Sequence, residues 1–294
     1  MNRLEILGRL IWLETGSYKY NLRKRENRMV KRKDIIKELK NRGYETEEHT
    51  SIKNGVKFKG IRFLTGNEIN PVIYTDDIIR DSGVLPEAVE SILEIYSHSC
   101  QAGFDIGNLK NPDFVMGNLY IRLQKTSSED ILKNGTDFEG IEKYLYIKID
   151  EDYSFKATHT FMESLNIQED EAWKVAERNT FAETEIVSMG EMLFRITGPE
   201  IEEPEVLPPQ YIITNNKGFM GASAVLDKAA IRKLADKYHV HKFVTLPSSI
   251  HEMIVMPYNE DDDIEFFNEM VKEVNQSQLE AAERLTDRAY IIEV

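Results

Sequence analysis

Apolar and polar residues along the chain follow two periods, which predict strands in some segments and helices in others. Alternation with a period of two runs through Leu119, Ile121 and Leu123 and is typical of a strand with one buried face. Val89 and Ile92 instead recur at helical spacing and predict a core-facing helix surface. The same reasoning predicts helices at residues 33–42, 76–82, 86–99, 168–179, 227–238 and 262–275. In the helix at residues 168–179, Ala172, Trp173 and Ala176 are predicted to form the buried stripe. Strand-like runs occur at residues 69–74, 144–149, 155–161, 211–214, 241–246, 253–256 and 289–292.

A hairpin is predicted in residues 51–74. Asn54-Gly55 lies between apolar runs, and this dipeptide favours the two-residue turn that joins antiparallel strands. Pro71 falls inside the last strand-like run and cannot donate a backbone hydrogen bond. We therefore expect that run to form an edge strand or an irregular one.

The clearest boundary in the sequence is the proline- and glutamate-rich stretch from Gly198 to Pro209. Prolines fix the backbone and like charges repel, so this stretch is predicted to be an exposed connector. We expect an N-terminal α+β region at residues 29–198, a connector at 199–209 and a C-terminal α+β region at 210–294. Strands and helices do not alternate strictly, which favours an α+β fold. The predicted architecture is a mixed, largely antiparallel sheet packed with helices on one face, in two sub-domains.

Charge is distributed unevenly along the chain, whose net charge is -14. Residues 1–43 hold 13 basic and 5 acidic side chains, whereas the other 251 residues carry a net charge of -22. An acidic body repels nucleic acid and anionic lipid, so nucleic acid is expected only at the basic N-terminal arm and no membrane partner is expected. The favoured interpretation of that arm is nevertheless a solvated helix face.

Composition places the chain among globular proteins, with 41% hydrophobic and 30% charged residues. The sequence has no apolar run long enough to cross a bilayer and no secretory signal pattern. Its single cysteine, Cys100, cannot form an internal disulfide. This usage favours the reducing cytoplasm.

The first 28 residues are predicted to be a non-native or disordered extension. Met29 is followed closely by the predicted helix at residues 33–42. The codons for residues 24–28 can be purine-rich, like a bacterial ribosome-binding site. Either Met1 or Met29 is therefore a possible natural start.

The densest concentration of reactive side chains is the segment with Ser248, Ser249, His251 and Glu252. One interpretation is a hydrolase in which a serine attacks, the histidine acts as base and the carboxylate orients it. Triads usually assemble from separated segments, and the chain lacks a Gly-x-Ser-x-Gly elbow. The other interpretation is a strand-to-strand turn whose polar groups bond backbone amides.

His239 and His241 are weak candidates for metal ligands. If both lay on one strand, the two imidazoles would point the same way, but a third ligand would be needed. Neither a Gly-x-x-x-x-Gly-Lys-Ser/Thr nor a Gly-x-Gly-x-x-Gly phosphate-binding motif is present. No cofactor is therefore predicted, and unliganded histidines are the favoured interpretation.

From about residue 31 to the C-terminus, the chain resembles the domain-of-unknown-function family 5688, a family of uncharacterised clostridial proteins. The resemblance rests on the segments Ile52-Lys53-Asn54-Gly55-Val56, Ile69-Asn70-Pro71-Val72-Ile73-Tyr74, Ala176-Glu177-Arg178-Asn179-Thr180, Tyr211-Ile212-Ile213-Thr214-Asn215, Gly221-Ala222-Ser223, Leu246-Pro247-Ser248-Ser249-Ile250-His251-Glu252, Val274-Asn275-Gln276-Ser277-Gln278 and Asp287-Arg288-Ala289-Tyr290. It implies a bacterial protein in which the serine–histidine segment is the family's most recognisable motif. It implies no reaction and no catalytic residue.

Two functions remain open at this point. The leading hypothesis is a non-enzymatic cytoplasmic protein that binds another protein through its acidic surface. The alternative is a hydrolase or metal-assisted enzyme centred on Ser248, Ser249, His251 and Glu252.

Overall fold

The computed structural model describes residues 30–66, 70–101, 106–149, 154–197 and 209–294. The predicted extension at residues 1–28 and nearly all of the predicted connector lie outside these ranges. The described residues form two compact units, residues 30–101 and residues 106–294. Among the described helices, none is long and apolar enough to cross a bilayer.

The N-terminal unit is a three-stranded antiparallel sheet with helices on one face. Its elements are α1 (Arg32–Asn41), β1 (Thr46–Lys53), β2 (Val56–Phe63), β3 (Val72–Tyr74), α2 (Asp76–Asp81) and α3 (Leu85–Gln101). The strand order is β1-β2-β3, so the strand after Pro71 lies at an edge, as predicted. Asn54 and Gly55 have φ values of 47° and 77°, which confirms the predicted hairpin turn. Leu39 of α1, Phe63 of β2 and Ile92 of α3 meet in the core.

The second unit contains two sheets. Its helices are α4 (Pro112–Gly117), α5 (His159–Ser164), α6 (Glu169–Ala182), α7 (Met189–Thr197), α8 (Lys228–Tyr238) and α9 (Ile264–Gln278), with 3-10 turns at Ile106–Lys110 and Ala222–Leu226. Its strands are β4 (Leu119–Lys125), β5 (Lys133–Gly135), β6 (Ile141–Lys148), β7 (Ser154–Lys156), β8 (Thr184–Ser188), β9 (Tyr211–Asn215), β10 (Lys242–Pro247), β11 (Met253–Pro257) and β12 (Tyr290–Glu293). The central sheet has β6 between β4 on one side and β5 and β7 on the other. The C-terminal sheet has the order β12-β10-β11-β9-β8.

The central sheet packs against α6 through the stripe predicted from the sequence. Ala172, Trp173 and Ala176 of that helix are buried against Ile121 and Leu145 of the sheet. The predicted return strand at residues 155–161 is mostly wrong, because the strand ends at Lys156. The Thr158 side chain instead accepts a hydrogen bond from the Phe161 amide and caps the start of α5.

Helices cover both faces of the C-terminal sheet. Helix α8 packs on the face that carries Phe243 and Val255. Helices α7 and α9 pack on the opposite face, which carries Val244 and Ile254. The expectation of helices on one face is therefore wrong for this sheet, since both faces of its inner strands are apolar. The α+β class itself is confirmed, and all strand pairings in the described residues are antiparallel.

The division between the two units does not fall at the predicted connector. Strand β8 precedes residues 199–209 and β9 follows them, yet the two strands pair with each other from Thr184–Asn215 to Ser188–Tyr211. Residues on both sides of the predicted connector therefore belong to one sheet. The change of unit lies instead after residue 105.

Candidate functional site

The serine–histidine segment is the connection between β10 and β11, which are antiparallel neighbours. Within it, the Ser249 amide donates to the Glu252 carbonyl at 3.3 Å. The His251 amide donates to the Ser249 hydroxyl oxygen at 3.0 Å. These bonds close a turn of the kind that serine side chains commonly stabilise.

Neither serine hydroxyl is positioned by the imidazole. The Ser248 hydroxyl donates to Glu252 Oε1 at 3.2 Å, and the Ser249 side chain is only 2% exposed. Among the hydrogen bonds of the described residues, none joins either hydroxyl to the His251 ring. A serine nucleophile needs a base within about 3 Å of its hydroxyl oxygen. The turn therefore does not present an assembled serine–histidine pair.

The His251 ring is held by three groups from other parts of the chain. Its Nδ1 accepts a hydrogen bond from the Met220 amide at 3.1 Å, and its Nε2 lies 3.7 Å from Glu283 Oε1. The Phe219 ring is tilted against it with centroids 5.0 Å apart. Because Nδ1 accepts a hydrogen bond from the Met220 amide, it carries no proton when the ring is neutral. The proton of the neutral ring is then on Nε2, which faces Glu283. The side chain is 20% exposed, so solvent reaches only part of the ring.

Glu283 lies beside His251, although no sequence pattern linked it to the serine–histidine segment. The neighbouring His251 ring lowers the pKa of Glu283 below the usual 4.5, although the partial burial of Glu283 acts in the opposite direction. Its backbone carbonyl also accepts from the Ile250 amide at 2.9 Å. A separation of 32 positions from His251 leaves no spacing pattern from which this pairing could be predicted.

Backbone groups of the same turn hold the loop after β9. The His251 carbonyl accepts hydrogen bonds from the Gly221 amide at 2.9 Å and from the Thr214 hydroxyl at 2.8 Å. The Ile250 carbonyl accepts from the Ala222 amide at 3.3 Å. The turn at residues 248–252 is thus hydrogen-bonded to two other segments, residues 214–222 and the bend at residues 280–283. This arrangement favours the structural interpretation of the segment.

His239 and His241 do not occupy equivalent positions of one strand. His239 is the left-handed cap of α8, with φ of 55°, whereas His241 comes just before β10. Both are exposed and line an open groove of about 520 Å³ together with Arg232 and Asp236. Within the described ranges, no three histidine, cysteine or acidic side chains converge as a metal site. The third ligand that a metal would require is not provided by these residues.

A second polar cluster, on the outer side of the central sheet, was not predicted. Glu142 is buried and accepts hydrogen bonds from Gln124 at 2.7 Å and from Ser127 at 2.8 Å. Glu129 pairs with Lys156 at 2.7 Å. Both carboxylates, Glu142 and Glu129, have hydrogen-bond or ion-pair partners. The cluster therefore stabilises the sheet and does not resemble a reactive site. The alternation of Leu119, Ile121 and Leu123 predicted a strand next to Gln124, but Glu142 lies before the strand predicted at residues 144–149 and was not expected in the sheet.

Comparison with known proteins supports the resemblance noted in the sequence. A model of the family of unknown function DUF5688 matches residues 28–293. The chain belongs to this family. The DUF5688 match includes the whole serine–histidine segment and both described units. No curated protein and no solved structure matches the chain.

The Glu283 carboxylate makes the stability of this DUF5688 protein depend on pH. Its pKa is lowered in the folded state, so the unfolded chain takes up the proton first as the pH falls. The contribution is fully present above pH 4.5 and is lost as the pH falls through the lower folded-state pKa. Urea unfolding between pH 6 and pH 3 should therefore show a smaller loss of stability for Glu283→Gln than for the wild type. Equal losses in both proteins would contradict the assigned role of Glu283.

Proposed function

We propose that this protein is a non-enzymatic bacterial, cytoplasmic module that binds another protein through an acidic surface. The observation that carries the proposal is the outer side of α9. Phe266 is 59% exposed there, and the exposed Glu269 and Glu273 follow it at helical spacing on the same side, next to Met270, which is partly buried and also packs against the core. We call these four residues the Phe266 surface. A large aromatic side chain on a solvent-facing helix side is a common feature of protein-binding sites.

Charge around the Phe266 surface favours a basic partner. Residues 106–294 carry 19 basic and 35 acidic side chains, and residues 259–280 contain eight acidic side chains and one lysine. Asp263 uses its carboxylate to cap α9, accepting from the Glu265 amide at 3.0 Å, but Glu269 and Glu273 are exposed. A partner segment with an apolar residue flanked by lysine or arginine would complement this surface.

The hydrolase alternative is supported less well. His251 and Glu283 form a pair that could exchange a proton, but the serine hydroxyls beside them are buried and engaged with Glu252 and the backbone. The same segment anchors neighbouring loops, which accounts for its polar side chains without a reaction. A change at His251 is therefore expected to alter stability more than partner binding.

The test uses three alanine variants of the full chain. Partners are captured from the native host, produced in pure form and titrated against wild type, Phe266→Ala, Phe219→Ala and His251→Ala. Phe219 is the matched control, because it is also 59% exposed but lies next to His251. We expect Phe266→Ala to weaken binding about tenfold, as loss of a central aromatic anchor does. Binding should also weaken as salt is raised.

The results that would overturn the proposal are specific. If Phe266→Ala binds every purified partner as tightly as wild type, the Phe266 surface is not the docking site. If binding is instead lost selectively in His251→Ala while that variant stays folded by circular dichroism, function belongs to the serine–histidine segment. Hydrolysis of a substrate that is abolished by Ser248→Ala or Ser249→Ala would favour the enzyme.

A further inference from the structure

Within the described part of the chain, the outer edge of β1 differs from the outer edge of β4. Strand β4 also lies at a sheet edge, but side chains from other segments hydrogen-bond to its outward backbone groups. The Ile121 amide donates to the Thr180 hydroxyl at 2.8 Å, the Ile121 carbonyl accepts from Ser223, and the Leu119 carbonyl accepts from Asn179. An uncovered edge invites pairing with another strand, and proteins commonly protect such edges.

Beyond Thr46, which is only 2% exposed, strand β1 has no such cover among the described residues. The Leu64 amide donates to the Glu45 carbonyl at 2.8 Å, which marks residues 45 and 64 as a hydrogen-bonded pair. Hydrogen-bonded and non-bonded pairs alternate in antiparallel sheets, so Thr46, Glu48, Thr50 and Ile52 point their amides and carbonyls away from β2. None of these outward groups has a backbone partner in the described part of the chain. Ile52, an apolar residue on this edge, is 43% exposed.

The sequence of β1 is complementary to itself in one antiparallel register. When two copies meet with Thr50 opposite Thr50, the outward-facing Glu48 lies opposite Ile52 and the backbone groups of both strands align for hydrogen bonding. In the same register Glu47 lies opposite Lys53 on both sides of the two-fold axis. Both side chains are exposed in the single chain. Charged residues that usually discourage edge pairing would here attract each other.

We propose that two copies of this chain associate through β1, forming a continuous six-stranded antiparallel sheet about a two-fold axis at Thr50. Such an interface uses the same patch on both copies, as two-fold dimers do. It involves one strand per copy, so it buries less than the roughly 1,600 Å² of a standard interface and is expected to be weak and concentration-dependent. The proposed dimer uses a different surface from the Phe266 surface, so a test of one proposal does not decide the other.

The first test is cross-linking at the two-fold axis. In a Cys100→Ser background, Thr50→Cys places two thiols on Cα atoms about 5.5 Å apart, within the range that a disulfide spans. Ile52→Cys is the matched control, because the two copies of that residue would be offset by four positions, roughly 13 Å along the strands. Mild oxidation of the full chain should give a disulfide-linked dimer for Thr50→Cys only. No dimer, or equal dimer from both variants, would overturn the proposed register.

The second test exchanges charges across the interface. Sedimentation equilibrium up to about 1 mM should show dimerisation of wild type, weakened about tenfold or more by either Glu47→Lys or Lys53→Glu. In the double variant, Glu47→Lys with Lys53→Glu, the dimerisation constant should recover to within about threefold of the wild-type value, since opposite charges face each other again. Lys57→Glu, on β2, is the control for net charge and should leave dimerisation nearly unchanged. A monomeric wild type, or a double variant no better than the singles when all are folded by circular dichroism, would contradict the proposal.

Discussion

Replacing Gly221 by alanine is expected to lower the free energy of unfolding by about 3 kcal/mol, because the added methyl group has no room. A Cβ at this position would stand 2.5 Å from both the Asn215 amide nitrogen and the Thr214 hydroxyl oxygen. The Gly221 amide also donates to the His251 carbonyl, so moving the loop to relieve the clash would break a bond of the serine–histidine turn. Urea unfolding followed by circular dichroism measures the effect.

A matched control for this substitution lies in the central sheet. A Cβ added to Gly135 would meet no atom within 4 Å. Gly135→Ala should therefore change the free energy of unfolding by less than about 1 kcal/mol. If Gly221→Ala were as mild as Gly135→Ala, the close approach of Gly221 to Thr214 and Asn215 would be contradicted.

Truncating Phe243 to alanine should lower the free energy of unfolding by about 3–5 kcal/mol, because a large buried side chain leaves a cavity. Phe243 is 0% exposed and packs on the α8 face of the C-terminal sheet. Phe266→Ala removes the same atoms from an exposed position and should change stability by less than about 0.5 kcal/mol. Thermal and urea unfolding of the two variants measures this contrast.

The contrast also separates stability from binding. Because Phe266→Ala is expected to stay as stable as wild type, a loss of partner binding in that variant would report on the surface and not on unfolding. A large loss of stability in Phe266→Ala would show that its ring is packed and would remove the support for the Phe266 surface.

Local patterns predicted much of the fold because the forces that set them are local. The Asn54-Gly55 turn, the edge strand after Pro71 and the buried stripe around Trp173 each depend on a few neighbouring residues, and each is confirmed. The early end of β7 was missed, because Thr158 caps a helix where apolar residues alone suggested a continuing strand.

Long-range arrangements were less accessible from the sequence. Pairing of β8 with β9 depends on packing in the C-terminal sheet and not on the composition of the proline-rich stretch between them. At the candidate site, the sequence placed Ser248, Ser249, His251 and Glu252 together but could not show that His251 faces Glu283 and the Met220 amide. The orientation of the His251 ring is set by groups distant in sequence. Proximity along the chain alone therefore suggested a serine–histidine pair that the turn does not form.

The two units differ in how far apart along the chain their contacts lie, and this difference bears on the order of folding. The N-terminal sheet is made from neighbouring hairpin strands. The second unit joins Ile121 to Ser223 and Glu139 to Tyr290, which closes loops of 102 and 151 positions. Chains dominated by distant contacts fold more slowly, because loop closure costs entropy before the contacts form. Residues 30–101 should therefore reach their native structure well before residues 106–294 do.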